Sequence, residues 1–365
     1  MTKLSIIHDY PISYFPPAMN LVDTIEDKID IEVITTTPDN GMLVYSPKLA
    51  RLYVPVCNKK SDNSLLRQLK AIWFVIACLF RLIRRKPDAI LYYESISAMP
   101  AYLYKRYINS RVNVFAHYHE YMTYEEYNRS GMRLTGLNHD IERKWLYQHC
   151  DWVSQTNAHR LNMFLEDNPM IDRSKAHVFP NYPPKSWWRK DKVHSGDIVK
   201  CVYVGSLSLK DTFVKEFCEW IQRQNGKVTF EIYSFNFHQD TLDAVESLKC
   251  PYIQFHKEGI PYMQIPDLLD MYDVGVLLYK ATTINFQWNE TNKFYEYLIC
   301  GLDVWYPKEM LLLHVMDKAQ FSPQIKELDF DHIDNFIYSL DKSHVANSSY
   351  CMFADDVYNK FVHII

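Results

Sequence analysis

The chain has 365 residues, 48% of them hydrophobic, 15% aromatic and 23% charged, with a net charge of −4. That composition excludes an intrinsically disordered chain, and only nine glycines exclude a glycine-built fibre. Forty basic against 44 acidic residues argue against a broad nucleic-acid-binding surface.

In chain order, LSIIHDY reads as a short buried strand running into a loop with Pro11, Pro16 and Pro17. The N-terminus lacks the ~7–15-residue apolar stretch of a secretory signal, so a cytoplasmic protein is expected. A helix over 18–29 and a β-branched strand, IEVITTT, come next. Residues 61–86 form a helix whose uncharged centre, 71–80, is about half the ~20 residues that span a bilayer. Two readings stand open there. One is a core helix with solvated ends. The other is an interfacial helix drawn to anionic lipid by Arg67, Lys70, Arg81, Arg84, Arg85 and Lys86, which makes the protein peripheral to a membrane. DAILYYES is the next strand, 98–107 the next helix, and RVNVFAHYHEY a strand entering a polar loop. A long helix over 137–149, a strand at DWVSQT and a helix over 160–165 complete the half, which ends in AHVFPNYPP.

The alternation then repeats. VKCVYVG is a continuous apolar strand, and Phe213, Val214, Phe217, Trp220 and Ile221 recur at helical spacing. VTFEIYS, YIQFHK and VGVLLY are strands, separated by helices over 240–248 and 265–271. A helix over 291–300 is stopped by Gly301, and DVWYP is a strand. The eight cysteines are widely spaced without a CxxC pair, which excludes a zinc ribbon and suits buried thiols in a reducing compartment.

Strand–helix alternation in both halves predicts an α/β protein of two Rossmann-like domains with mainly parallel sheets facing a cleft. The expected domains are 1–182 and 196–349. A tail helix within 350–365 carries a stripe of Phe353, Val357 and Phe361 and packs back on the first domain. Ligands of such sheets bind at the carboxyl ends of the strands.

The segment NETNKFYEYLICG, 289–301, follows a strand and a polar loop. Thr291 and Asn292 are both competent N-caps, and the free N–H groups of the first turn suit a diphosphate. Lys293 adds a charge there, and Glu296 suits the vicinal hydroxyls of a ribose. An ordinary amphipathic helix with surface charges is the alternative. A strand ending in Tyr279, a polar loop, then N-K-F-x-E-Y-L-x-x-G and a further strand resembles the donor-binding segment of GT-B glycosyltransferases. It is most similar to the retaining enzymes of glycosyltransferase family four. The resemblance implies that Glu296 binds the nucleotide ribose and that Asn292 and Lys293 approach the phosphates and the sugar.

AHYHEY, 116–121, matches a strand end of the first domain in these enzymes, which implies His119 beside the transferred sugar with Glu120 next to it. His117 and His119 share one face of a strand, a spacing that also suits two metal ligands, and no third lies nearby. VYVGSL matches the phosphate loop, with Gly205 allowing close backbone approach. The family's basic pair is reduced there to Ser206 and, further on, Lys210. The family's first paired acid falls on Trp288, with Glu290 out of register. The loop HDYPISYFPPA, with Asp9 and Tyr10, replaces the family's Gly-Gly pair and is expected on the acceptor side. Asp329 and Asp331 form a D-x-D by chance, and no metal or other cofactor is expected.

The resemblance implies a glycosyltransferase, retaining and metal-independent. It passes a sugar from a nucleotide-sugar to a glycan or lipid-linked acceptor in surface polysaccharide synthesis. An inverting GT-B enzyme or epimerase with a base at His8, Asp9 or Glu120, and a degenerate binding subunit, are the alternatives.

Overall fold

A computed structural model describes residues 1–38, 51–59, 61–129, 131–189, 192, 196–316, 324–338 and 352–365. The chain forms two compact units: Met1–Asn181 with Ala354–Ile365, and Tyr182–Phe353.

Among the described residues, unit 1 builds seven strands: β1 (Lys3–His8), β2 (Asp30–Thr35), β3 (Leu52–Tyr53), β4 (Ala89–Tyr93), β5 (Asn113–Tyr118), β6 (Trp152–Gln155) and β7 (Ala176–Val178). They pair in the order β3-β2-β1-β4-β5-β6-β7, all parallel. Ile6 of β1 sits in register with Val33 on one side and Leu91 on the other. Two apolar clusters fill this unit. One holds Ile7, Phe74, Ile90 and Val114, the other Leu4, Ile6, Leu21 and Val33. Neighbouring residues of β1, Ile6 and Ile7, therefore feed different clusters, as alternation along a strand covered on both sides requires.

Unit 2 repeats the design with six described strands: β8 (Val199–Val204), β9 (Val228–Tyr233), β10 (Ile253–His256), β11 (Val274–Val276), β12 (Asp303–Pro307) and β13 (Ile325–Leu328). Their order is β10-β9-β8-β11-β12-β13, again all parallel. The expected class, two α/β units with parallel sheets, is the observed one. In both units the order reverses beside the first strand, which places the carboxyl ends of β1 and β4, and of β8 and β11, at the point where such sheets bind ligands.

Several elements differ from expectation. The strands β3, β7 and β13 are two to four residues long, too short to leave a period in the sequence. The helix expected over 137–149 begins at Arg133 and contains a π-helical turn, Glu142–Leu146. That turn holds Glu142 wholly buried, where Tyr92 Oη (2.8 Å) and Tyr118 Oη (2.6 Å) donate to one carboxylate oxygen. The 61–86 helix is observed as Ser64–Arg85. Asn63 caps it by accepting from the Leu66 N–H at 2.8 Å, and Lys86 ends it at φ 51° before Pro87. The last helix, Ala354–Val362, buries Ala354, Tyr358 and Phe361 in unit 1. Phe353 is not part of that stripe: it precedes the helix and packs with Trp188 in unit 2. The seven described cysteines are free thiols, five of them buried.

Candidate active site

In unit 2 the donor residues expected from the sequence gather from three segments. β8 leads into Gly205, whose φ of 155° favours glycine, while a Cβ there would meet Tyr203 only at ordinary contact distance. Tyr203 Oη donates to the Ser206 carbonyl at 2.8 Å, and Asn236 Nδ2 donates to Ser206 Oγ at 3.1 Å. Two hydrogen bonds therefore hold the loop at Ser206. Lys210 is exposed and in no ion pair among the described residues. Lys280, which the sequence motifs do not single out, anchors this loop: its Nζ donates to the Leu209 carbonyl at 2.8 Å and its N–H to the Asp211 carbonyl. Only its place just after Tyr279 at the end of an apolar run signals it. Tyr279 stacks on Phe286 and is a polar neighbour of Tyr203.

The helix after the polar loop is Asn292–Ile299. Thr291 stands at its N-cap position, and no side chain caps it. The N–H groups of Asn292 and Lys293 thus keep their capacity for an anion, while that of Phe294 donates to the Thr291 carbonyl at 3.1 Å. Lys293 Nζ lies 2.7 Å from Glu296 Oε2, one turn on. Glu296 is 1% exposed and its other oxygen, Oε1, has no hydrogen-bond partner. A buried carboxylate oxygen left unsatisfied is costly, and a ligand hydroxyl would satisfy it. Its backbone is held at both ends. Tyr297 Oη accepts from the Val204 N–H of β8 at 3.1 Å. Gly301, at φ 75°, closes the helix by donating to the Leu298 carbonyl while Leu302 donates to that of Tyr297.

In unit 1 the carboxyl ends of β1, β4 and β5 carry a second cluster. His117 and His119 do meet, with ring centroids 4.8 Å apart, and His119 stacks on Tyr93 and Phe15. His8 is the third ring, 6.3 Å from His119. Burial drives the pKa of His8 and of His119 down to about 3 and lowers that of His117, so all three are neutral at pH 7. His119 Nε2 and the nearby Asn181 Oδ1 are both buried without a hydrogen-bond partner. Arg160, buried and also without a signal in the sequence, donates to the His119 carbonyl at 2.8 Å.

Glu94 is the further residue the sequence does not signal. It follows β4 at φ 61°, a conformation costly for a side-chain-bearing residue. Its carboxylate accepts from the His119 N–H at 2.7 Å and from the Glu120 N–H. Burial, then the charge of Glu120, raises its pKa to about 8. Asp9 is raised to about 7 by burial. Its N–H donates to Ser97 Oγ, and the half-exposed Tyr10 follows it. Asp9 and Tyr10 line a cavity of about 400 Å³ with Thr36, Asn58, Arg67 and Lys70. Glu120 is exposed.

These groups set a pH dependence. Below ~6.5 an unfolded chain protonates three histidines that the native unit keeps neutral, so their contribution is lost as pH falls. Asp9 and Glu94 act oppositely: their contribution is present below ~4 and lost as pH rises through about 7 and 8. Between ~4 and ~6.5 the balance is one proton, or about 1.4 kcal/mol per pH unit. Thermal unfolding across pH 4–9 is expected to peak near pH ~6.5, with a shallower acid limb in His119→Asn.

Among the described residues no group of three or more His, Cys, Asp or Glu is placed to hold a metal ion. Asp329 and Asp331 both pair with Lys308, at 2.5 and 2.6 Å.

No family model and no curated protein matches the chain. Solved structures do. Anabaena HepE in complex with UDP and glucose aligns with a TM-score of 0.68 at 10% identity, covering 100% of this chain and 99% of that one. The sucrose-phosphate synthase of Thermosynechococcus elongatus aligns at 0.65 and 10% identity, covering 100% and 94%. The fold is that of the GT-B glycosyltransferases. A UDP-GlcNAc 2-epimerase from Neisseria meningitidis bound to UDP-GlcNAc shares it, at 0.61 and 12% identity over 100% and 99% of the two chains. In this GT-B chain the two residue clusters therefore fall one in each unit, each at the carboxyl ends of its parallel strands.

Proposed function

We propose that the chain is a glycosyltransferase. Unit 2 holds a nucleotide-sugar, and a glycan or lipid-linked acceptor on unit 1 receives the sugar in surface polysaccharide synthesis in the cytoplasm. The observation that carries the reading is Glu296, a buried carboxylate with one oxygen unpartnered, on the helix whose uncapped first turn suits a diphosphate. The UDP and UDP-sugar complexes among the structural neighbours support a nucleotide donor.

In this reading the ribose hydroxyls donate to Glu296, and the Lys293 side chain and the N–H groups of Asn292 and Lys293 face the diphosphate. Charge developing on the leaving phosphate is stabilised there, the principal electrostatic contribution to transfer. Tyr279 and the Gly205–Ser206 turn border the same ligand, with Lys210 at the loop's edge. His119, neutral, offers Nε2 as a hydrogen-bond acceptor to a sugar hydroxyl. Asp9, Tyr10 and Glu120 lie on the acceptor side. Transfer proceeds with retention and without a divalent metal, as in the enzymes the motif resembles.

A thermal-shift series with UDP, GDP, ADP and CMP tests this. One nucleotide at ~100 times its dissociation constant is expected to add about 2.7 kcal/mol of stability. With its sugar conjugate and an acceptor glycan, free nucleoside diphosphate should appear at a rate unchanged by EDTA. The epimerase neighbour favours a second reading, isomerisation of the nucleotide-sugar. It predicts an isomeric nucleotide-sugar without net release of diphosphate. Absence of any nucleotide shift would sink both readings.

A further inference from the structure

The Ser64–Arg85 helix turns only Phe74, Ala77, Cys78 and Leu82 into the core of unit 1. On its other side Leu65, Leu69, Ile72, Trp73, Ile76 and Phe80 are each 50–66% exposed. Their spacing, i, i+4, i+7, i+8, i+11 and i+15, confines them to a sector of about 100° at 3.6 residues per turn. The helix is 22 residues long and so extends about 33 Å. Single exposed apolar residues are ordinary, whereas a continuous stripe marks a contact surface.

The charges decide what it contacts. The helix carries Arg67, Lys70, Arg81, Arg84 and Arg85 and no acidic residue, in a chain whose net charge is −4. Lys70, Arg81 and Arg85 turn back onto Asp62, Glu32 and Asp30. Arg84 and Lys86 are exposed and in no ion pair among the described residues. A second copy of the chain is a poor occupant. The same helix of another copy carries no acidic residue to receive Arg84 and Lys86. No described helix is long and apolar enough to cross a membrane, so the fitting geometry is interfacial.

We propose that this stripe seats unit 1 on an anionic lipid surface. The helix lies in the interface with its apolar sector at the acyl boundary and Arg84 and Lys86 on the headgroups. Arg67, Lys70 and Phe74, on the opposite face of the same helix, line the cavity beside Asp9, so about one helix diameter, ~10 Å, separates that cavity from the lipid. The proposal stands on the helix alone and does not depend on the transferase reading.

Flotation of the full-length chain with vesicles of phosphatidylcholine, with and without phosphatidylglycerol, tests it. The wild type should float with the anionic vesicles and be released by high salt. Each basic residue at the surface contributes roughly fivefold, so Arg84→Glu/Lys86→Glu should lose on the order of 25-fold or more. Ile72→Glu/Ile76→Glu/Phe80→Glu should abolish flotation while keeping the wild-type circular dichroism and thermal midpoint, because these side chains face solvent. Wild-type protein left unbound by both vesicles would overturn the proposal. So would equal flotation of the triple variant, or light scattering that shows a wild-type dimer dissolved by the triple substitution. No nucleotide or transfer assay enters, so either outcome leaves the proposed donor site of unit 2 untouched.

Discussion

Replacing Glu296 by alanine is expected to weaken nucleotide binding at least 100-fold while leaving the fold intact. A carboxylate accepting from two vicinal hydroxyls makes two charge-assisted hydrogen bonds, each contributing about 1.5–3 kcal/mol. The lower bound of the pair, ~3 kcal/mol, is already more than a hundredfold in Kd. Glu296→Gln keeps the shape and one acceptor, and its loss should be smaller, roughly tenfold. Titration calorimetry with the nucleotide found by thermal shift measures both. The Lys293 partner adds a second, opposite test on the empty protein. Removing Lys293 strands a carboxylate that is 1% exposed, whereas removing Glu296 strands an ammonium at 17% side-chain exposure. Breaking one side of a buried pair costs ~3–5 kcal/mol at full burial, and here less. Lys293→Ala should therefore lower the unliganded midpoint more than Glu296→Ala does. If Glu296→Ala binds nucleotide as the wild type does, the carboxylate only neutralises Lys293, and the ribose contact is wrong.

The sequence was informative where a physical rule leaves a period or a spacing. The long apolar strands β1, β8 and β12 and the Asn292–Ile299 helix declare themselves by runs, helical spacing and Gly301. The Ser64–Arg85 helix was equally visible, but which of its apolar residues face solvent was not. Its sequence is apolar nearly all round, and only packing against unit 1 selects Phe74, Ala77, Cys78 and Leu82 for burial. The candidate site was legible as residues of one motif and silent about those that arrive from elsewhere. Glu94 and Arg160 reach the His119 loop from 25 and 41 residues away, through a φ of 61° and a buried guanidinium. Neither carries a pattern in its own neighbourhood. Lys280 holds the Ser206–Asp211 turn in the same long-range fashion, 71 residues from its acceptor.

Gly275→Ala is expected to be the most damaging single substitution in unit 2, although it changes one hydrogen into a methyl group. Gly275 lies in β11, the central strand between β8 and β12. A Cβ there would sit 2.1 Å from Cγ of Tyr297 and 2.2 Å from Cδ2. These atoms lie at the root of a ring that is wholly buried, so no rotation of a flexible end relieves the clash. The ring cannot withdraw cheaply either, because its hydroxyl accepts from the Val204 N–H at the end of β8. Overpacking of ordinary cores costs ~1–3 kcal/mol, and an overlap this deep should exceed it, by ~4 kcal/mol or more, with the chain largely insoluble on expression. Tyr297→Phe, which only removes the acceptor from a buried N–H, should cost ~1–3 kcal/mol. A double-mutant cycle separates the clash from a general intolerance of β11. In a Tyr297→Ala background the alanine at 275 meets no ring, and its cost should fall to about 1 kcal/mol or less. An undiminished cost there would show that the glycine is needed for the strand itself. The contact also bears on the candidate site: Tyr297 adjoins Glu296 on the helix, so the close approach that Gly275 permits sets how near the carboxylate stands to the end of β8.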